Sequence, residues 1–380
     1  MLNLILKGGR VVDPAHGRNE ITDIGFGDGR VETIGTGLPL RAEQTIDVSN
    51  MLVAPGLIDL HTHVYWGGTS MGVDAATVAR RSGTTTFVDA GSAGPGNFHG
   101  FRRHVIEPSP LRILPYLNVS FPGIFAFSPA VMVGEAADLR LIDPRECVRV
   151  INEHRDLIVG VKVRVGRGAG GASGAAPLDI AIEVAEEVGL PVMAHLDNPP
   201  PSRLEVLSRL RPGDVITHCF RPFPNAPVWP DGRVRDEVLA ARDRGVIFDI
   251  GHGGGSFGFR TAELMLEAGF LPDVISSDVH AMSINGPAFD QLVTMSKFLA
   301  LGVDLTTVIG ASTAAPANIV GRRDLGHLAV GAVGDATILQ VVEGEFDYRD
   351  VLGETRRGRH RLVVRAMVVG GKLWPGAPQA

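Results

Sequence analysis

Hydrophobic positions along this chain follow two different rhythms. The stretch up to Gly56 carries short apolar runs, LILKGGRVVD, DIGFGDGRVETIG and QTIDVSNMLVAPG, which alternate in part with polar residues and break at glycines. A period of two bounded by turn residues predicts strands. Beyond Gly56 the runs become apolar and β-branched, and longer helical stretches such as VDAATVARRSG and LDIAIEVAEEVG separate them. That alternation predicts βα units around a parallel sheet. Eight candidate strands can be read: LIDLHTH, TTTFVDA, RILPYLNVS, LIVGVKVRV, PVMAHL, DVITHCF, VIFDIG and DVISSD. The expected fold is therefore α/β, a (β/α)8 TIM barrel whose C-terminal strand ends open onto one face. Strand-like patterning returns in HLAVGAVGDATILQVVE and RLVVRAMVVGGKLW. The two β-rich ends are expected to pair into one small β-sandwich domain, residues 1–54 with 327–380, around a barrel of residues 55–326. A length of 380 residues accommodates both, since a barrel takes about 250.

Two glycine clusters, GRGAGGASGAAP after the fourth strand and GHGGGSFG after the seventh, fall on the face where barrel enzymes carry their chemistry. The first reads either as a flexible surface loop or as a mobile lid. Composition narrows the class of function. Hydrophobic residues at 44% and charged residues at 21% match an ordinary globular chain with a large core. A net charge of −6 with scattered arginines speaks against nucleic acid as a partner, because its binders present basic faces to phosphates. A membrane span is not expected, since runs such as VVRAMVV fall short of the roughly 20 apolar residues one needs. The opening MLNLILKGGR lacks a basic leader and a small-residue cleavage pattern, so it reads as a first strand and the expected location is cytoplasmic. Two cysteines, Cys147 and Cys219, exclude a disulfide framework and read as ordinary reduced thiols.

The chemistry lies in polar residues on or at the ends of the candidate strands. His61 and His63 are two apart in LIDLHTHV, so alternation sends both imidazoles to the same side. Paired imidazoles suit zinc, iron, cobalt, nickel or manganese. His195 and His218 come from the fifth and sixth strands, and Asp278 ends the eighth. Lys162 lies inside the apolar fourth strand, where an ammonium is costly unless it is paired, neutralised or modified. Singly, each histidine has a dull account as a core or surface group. Jointly, polar residues at the same end of five strands converge on a metal site. Weaker candidates surround it. Arg164 shares strand parity with Lys162, so its guanidinium either clamps a substrate carboxylate or pairs with an acidic neighbour. Tyr116, Asn118 and His252 are candidate substrate-binding residues, and His280 either orients a ligand or starts a loop.

With these residues in view the sequence resembles the amidohydrolase superfamily, in the branch of dihydroorotases, hydantoinases, D-aminoacylases and related deacetylases. The resemblance covers nearly the whole chain: LILKGGRVVD, the junction VAPGLIDLHTH, the ligand order His, Lys, His, His, Asp, and the later STAAPANIVG and HLAVGAVGDATIL. It implies two divalent ions, zinc foremost, bridged by Lys162 carboxylated on its amine. His61, His63 and Asp278 would then bind the more buried ion, and His195 and His218 the other. It also implies attack of a metal-bridging hydroxide on a carbonyl carbon, with Asp278 moving the proton. The function expected is removal of an acyl group, through an amide or an ester bond, from a small carboxylate-bearing amino or hydroxy compound. Alternatives are a cyclic-amide hydrolase of the dihydroorotase or hydantoinase kind, a mononuclear deaminase, which would not be expected to require the lysine, and a non-catalytic scaffold relative. Dihydroorotases typically place an arginine two residues after the second metal histidine. Here that position is Tyr65. The partner expected is a small molecule, and a homo-oligomer is compatible with the sequence.

Overall fold

The computed structural model describes residues 2–38 and 41–375, so residues 1, 39–40 and 376–380 of the expected small domain lie outside the described residues. Seven parallel strands pair in chain order: β1 (Leu57–Thr62), β2 (Thr84–Ala90), β3 (Arg112–Asn118), β4 (Gly160–Val165), β5 (Val192–Leu196), β6 (Val215–Ile216) and β7 (Ile247–Phe248). They form the curled sheet of a TIM barrel. The helical stretches behave as their patterning predicts. In Ala75–Ser82 the Asp74 side chain accepts from the backbone N–H groups of Ala76 and Thr77, and Gly83 closes the helix in the left-handed region. In Ala176–Val188, Leu178, Ala181, Val184, Ala185 and Val188 are buried at helical spacing, which docks that helix on the sheet.

The eighth strand departs from the expectation. Residues 274–279 close the barrel through single parallel bridges, Asp249 with Val274 and Thr62 with Val279, instead of a continuous ladder. Backbone bonds such as Ile250 N to Val274 O and Asp278 N to His61 O run along both edges, and side chains add to them. Asp59 accepts from Ser277 N at 2.9 Å and Ser277 Oγ at 2.5 Å, and Gln291 Nε2 donates to Ile58 O and Ile275 O. Removing the Asp59 carboxylate leaves those Ser277 donors buried without an acceptor. Asp59→Ala is therefore expected to cost about 2–4 kcal/mol of unfolding free energy. Denaturant titration checks this, and a loss under about 1 kcal/mol would show that Asp59 does not close the barrel.

Both chain ends meet in an eight-stranded sheet. Its seam is the short strand Leu52–Pro55, which runs parallel to Leu2–Asp13 on one side and antiparallel to Ala336–Arg349 on the other. Leu4, Leu6, Val11, Ile24, Phe26, Val53, Ile338 and Val368 give this sheet a core of its own. Because Leu52–Pro55 runs straight into β1, the terminal sheet anchors the strand that carries the histidine pair. No helix of the described residues is long and apolar enough to cross a membrane. Cys147 and Cys219 are free and buried, and Cys219 packs in the apolar core.

Candidate metal centre

His61 lies in β1 and His63 directly follows it, and the Nδ1 atom of each meets a hydroxyl backed by a carboxylate. His61 Nδ1 lies 2.8 Å from Thr217 Oγ1, which donates to Asp249 Oδ2 at 2.7 Å. His63 Nδ1 lies 2.8 Å from Ser92 Oγ, which donates to Asp89 Oδ2 at 2.9 Å. Since each hydroxyl spends its proton on the carboxylate, it accepts from the imidazole, and the tautomer is settled with hydrogen on Nδ1. His218 Nδ1 likewise donates to Gly251 O at 2.6 Å. All three rings thereby keep Nε2 as a lone-pair donor. Burial holds His61, His195 and His218 well below the usual imidazole range and takes His63 down to about 3, so the neutral ligand form prevails at pH 7.

These nitrogens meet one carboxylate. Asp278 Oδ1 lies 3.3 Å from His63 Nε2 and 3.5 Å from His61 Nε2. Ligand atoms of His61, His218 and Asp278 all fall within 4.8 Å of one another. His195 Nδ1 faces His218 Nε2 at 2.7 Å, while His195 Nε2 is buried without a partner. The Asp278 backbone sits at φ 49°, a left-handed conformation uncommon for a residue other than glycine, and Gly253 lies directly against it. A Cβ at position 253 would stand 2.2 Å from Asp278 Oδ2, so only glycine fits there. Burial, partly opposed by His280 and Lys162, raises the Asp278 carboxyl to about 6.

Lys162, from the middle of β4, is fully buried, and its Nζ has no hydrogen-bond partner. Burial lowers its amine to about 8. Gly91 makes room for its stem, because a Cβ there would stand 2.5 Å from both Cβ and Cγ of Lys162. Among the described residues a second group, His99, Glu153 and His154, is as compact. It is already occupied by guanidinium groups: Arg149 Nη1 holds both Glu153 oxygens at 2.8 Å, and Arg102 Nη1 donates to His154 Nδ1 at 3.0 Å. The buried set fits metal ions, with neutral nitrogens, one carboxylate and an orphaned amine. The surface set does not.

A profile of the amidohydrolase family matches residues 52–204, the segment holding the histidine pair, Lys162 and His195. A deacetylase of Agrobacterium fabrum is 36% identical over 348 residues, covering 91% of this chain and 84% of that one. The chain belongs to the amidohydrolase family. Among solved structures, a dihydroorotase superposes with a TM-score of 0.91 at 33% identity, covering 99% of both chains. An adenine deaminase does so at 0.92 and 29%, covering 99% of this chain and 100% of that one. As a member of this family the chain is a metal-dependent hydrolase acting on small molecules.

Around the amidohydrolase centre, the remaining candidates fall into different environments. Arg164 is largely buried, its Cζ 4.8 Å above the Phe127 ring and its Nε 3.6 Å from Glu135 Oε1. Asn118 spends its amide on the chain, accepting from Ser120 N and donating to Gly91 O. Tyr116, two residues lower on β3, is enclosed by Leu60, Val88, Leu114, Met193 and Val215 in the barrel interior. His252 is fully buried and stacks on Phe257, with Nδ1 donating to Gly253 O and Nε2 receiving Lys297 Nζ at 2.6 Å. His280 stands 6.2 Å from the His63 ring and 5.8 Å from Phe127, centroid to centroid.

Several participants escaped the sequence reading. Asp89, Ser92, Thr217 and Asp249 orient the histidines, and only the two carboxylates, set in the apolar runs TTTFVDA and VIFDIG, carried a signal in the sequence. Arg221, three residues beyond His218, is the other. Its Nη2 donates to Ser256 Oγ at 3.2 Å, and its Nε is buried with no partner. Burial and nearby Arg164 pull it below the usual guanidinium range, against the attraction of Asp197 and Asp278.

Proposed function

We propose that this amidohydrolase removes an acyl group, through an amide or an ester bond, from a small carboxylate-bearing amino or hydroxy compound. The observation that carries the reading is Arg221, a half-buried guanidinium whose Nε is buried without a partner among the residues that surround Asp278. A guanidinium at a hydrolytic centre with a buried donor left unpaired calls for an anionic substrate. The likeness to a deacetylase over 91% of the chain supports the same reading.

In this reading His61, His63 and Asp278 hold the more buried divalent ion and His195 and His218 the other, with Lys162 between them. Zinc suits the nitrogen-rich donors best, and iron, manganese, cobalt or nickel are also compatible. Bound there, the ions would supply activated water at neutral pH and polarise the scissile carbonyl. Lys162 reaches that role as a carbamate: the neutral amine, accessible because burial lowers it to about 8, adds to carbon dioxide and releases a proton. Asp278, raised to about 6, takes a proton on Oδ and returns it to the leaving nitrogen or oxygen. Arg221 binds the substrate carboxylate and Arg164 assists. The division into a barrel of residues 55–326 and a small domain from both ends, a cytoplasmic setting consistent with two free thiols, and self-association belong to the same proposal.

A cyclic amide is the second reading, favoured by the likeness to a dihydroorotase. Against it, Tyr65 stacks on Phe101 at 4.5 Å and donates to Asn97 O, supplying no cation. The test is a panel of N-acyl and O-acyl carboxylates in both enantiomers, alongside dihydroorotate and hydantoin, with metal-loaded enzyme. Turnover confined to the cyclic compounds would sink the acyl-transfer reading. Arg221→Met is expected to lower kcat/KM about 10–100-fold for a carboxylate-bearing substrate and to leave an uncharged activated ester little changed. Equal losses on both would remove Arg221 from carboxylate binding.

A further inference from the structure

The glycine-rich segment after β4 does not cover the mouth freely. Gly168 N and Ala169 N both donate to the Asp197 carboxylate, and Ala136 N donates to Ala169 O, so that segment is tied down. A different element reaches the site. Ala126–Phe127 and Met132–Val133 form a two-stranded antiparallel hairpin with Phe127 opposite Met132. The half-buried Phe127 ring lies beneath the Arg164 guanidinium and edge-on to His280, whose ring neighbours His63. The chain leaving the hairpin supplies Glu135, which approaches Arg164 from its Nε side. One short segment thus shapes the surroundings of a cation close to the ligands.

The same hairpin carries apolar side chains that the fold leaves uncovered. Met132 is 57% exposed, with Val131, Val133 and Phe125 also exposed, and Trp66 on the adjoining loop is 63% exposed. Ser70 Oγ ties that loop to the hairpin, donating to Phe127 O and accepting from Phe127 N, both at 3.2 Å. Apolar surface beside guanidinium groups complements a molecule that carries a carboxylate next to an apolar substituent.

We propose that this hairpin is the specificity element of the site, with Phe127 as the wall that receives an apolar side chain of the substrate next to its carboxylate. The inference rests on the acyl-carboxylate reading and deepens it. A cation held over an aromatic face is favoured by the ring quadrupole, so Phe127 both positions Arg164 and offers the remaining ring surface to substrate.

The experiment compares metal-loaded wild type with Phe127→Ala and Phe127→Leu on N-acetyl-leucine and N-acetyl-glycine, together with their O-acetyl hydroxy-acid counterparts. The preference for the branched side chain, as a ratio of kcat/KM values, is expected to fall about 10–100-fold in Phe127→Ala and less in Phe127→Leu, with metal content unchanged. Calorimetric binding of 4-methylpentanoate and acetate supplies a readout without turnover. Wild type is expected to bind 4-methylpentanoate more tightly, and Phe127→Ala to lose that difference. If no acyl compound is hydrolysed but this Phe127-dependent preference is present, the acyl-transfer reading falls while the hairpin assignment stands. Equal affinity of wild type for the two carboxylates, or equal losses on branched and unbranched substrates in the variants, overturns it.

Discussion

Lys162→Ala is expected to lose bound metal and to fall in activity by about 10³-fold or more, because the several kcal/mol a metal site contributes go with it. The physical reason is on β4: Nζ is buried with no partner, so the amine serves nothing in the fold that an alanine would fail to serve. An unpartnered ammonium in the interior is a liability, and deleting it should leave thermal stability equal or higher. Small carboxylic acids are expected to restore part of both metal content and turnover, since they can occupy the volume the side chain vacates and replace the carbamate oxygens. Elemental analysis alongside thermal unfolding separates the outcomes. A stable variant holding two metals and turning over normally would reject a bridging role for Lys162.

Asp278→Asn retains an oxygen donor but removes the basic site. Turnover of an amide substrate per bound metal pair is expected to drop about 10²–10⁴-fold, the range attributed to positioned acid–base groups. Because an activated ester leaves with little protonation, its deficit should be smaller. The position tolerates the exchange sterically, since Asn adopts positive φ as readily as Asp and the Gly253 contact accepts a side chain of the same shape. The measurement is turnover per metal pair across a pH series for both substrates. If the amide activity per metal pair equals that of wild type, Asp278 is a ligand and nothing more.

What the sequence determined about this protein by itself follows from local periodicity. Apolar β-branched runs between helical stretches were enough for the barrel, because burial on both faces leaves its mark inside each strand. The spacing of His61 and His63 was enough to put them on one side, and the apolar company of Lys162 was enough to make it an anomaly demanding a chemical reason. Tertiary structure decided the rest, wherever the deciding partner lies far along the chain. DVISSD reads as a strand like the others, yet its pairing is broken into single bridges and backbone bonds, reinforced by Asp59, 218 residues before Ser277, and by Gln291, 233 residues after Ile58. Tyr116 and Asn118 share parity, but depth in the barrel separates a packed core ring from a polar group near Lys162, and alternation carries no information about depth. His252 reads from the sequence as a candidate substrate-binding residue, and only the fold brings Lys297, 45 residues further on, within 2.6 Å of its imidazole. Arg221 was silent for the same reason: an arginine after a strand is ordinary until the fold buries its Nε without a partner near Asp278. A residue's neighbours across the barrel fix whether its polarity is satisfied, and that balance is a property of the packed molecule.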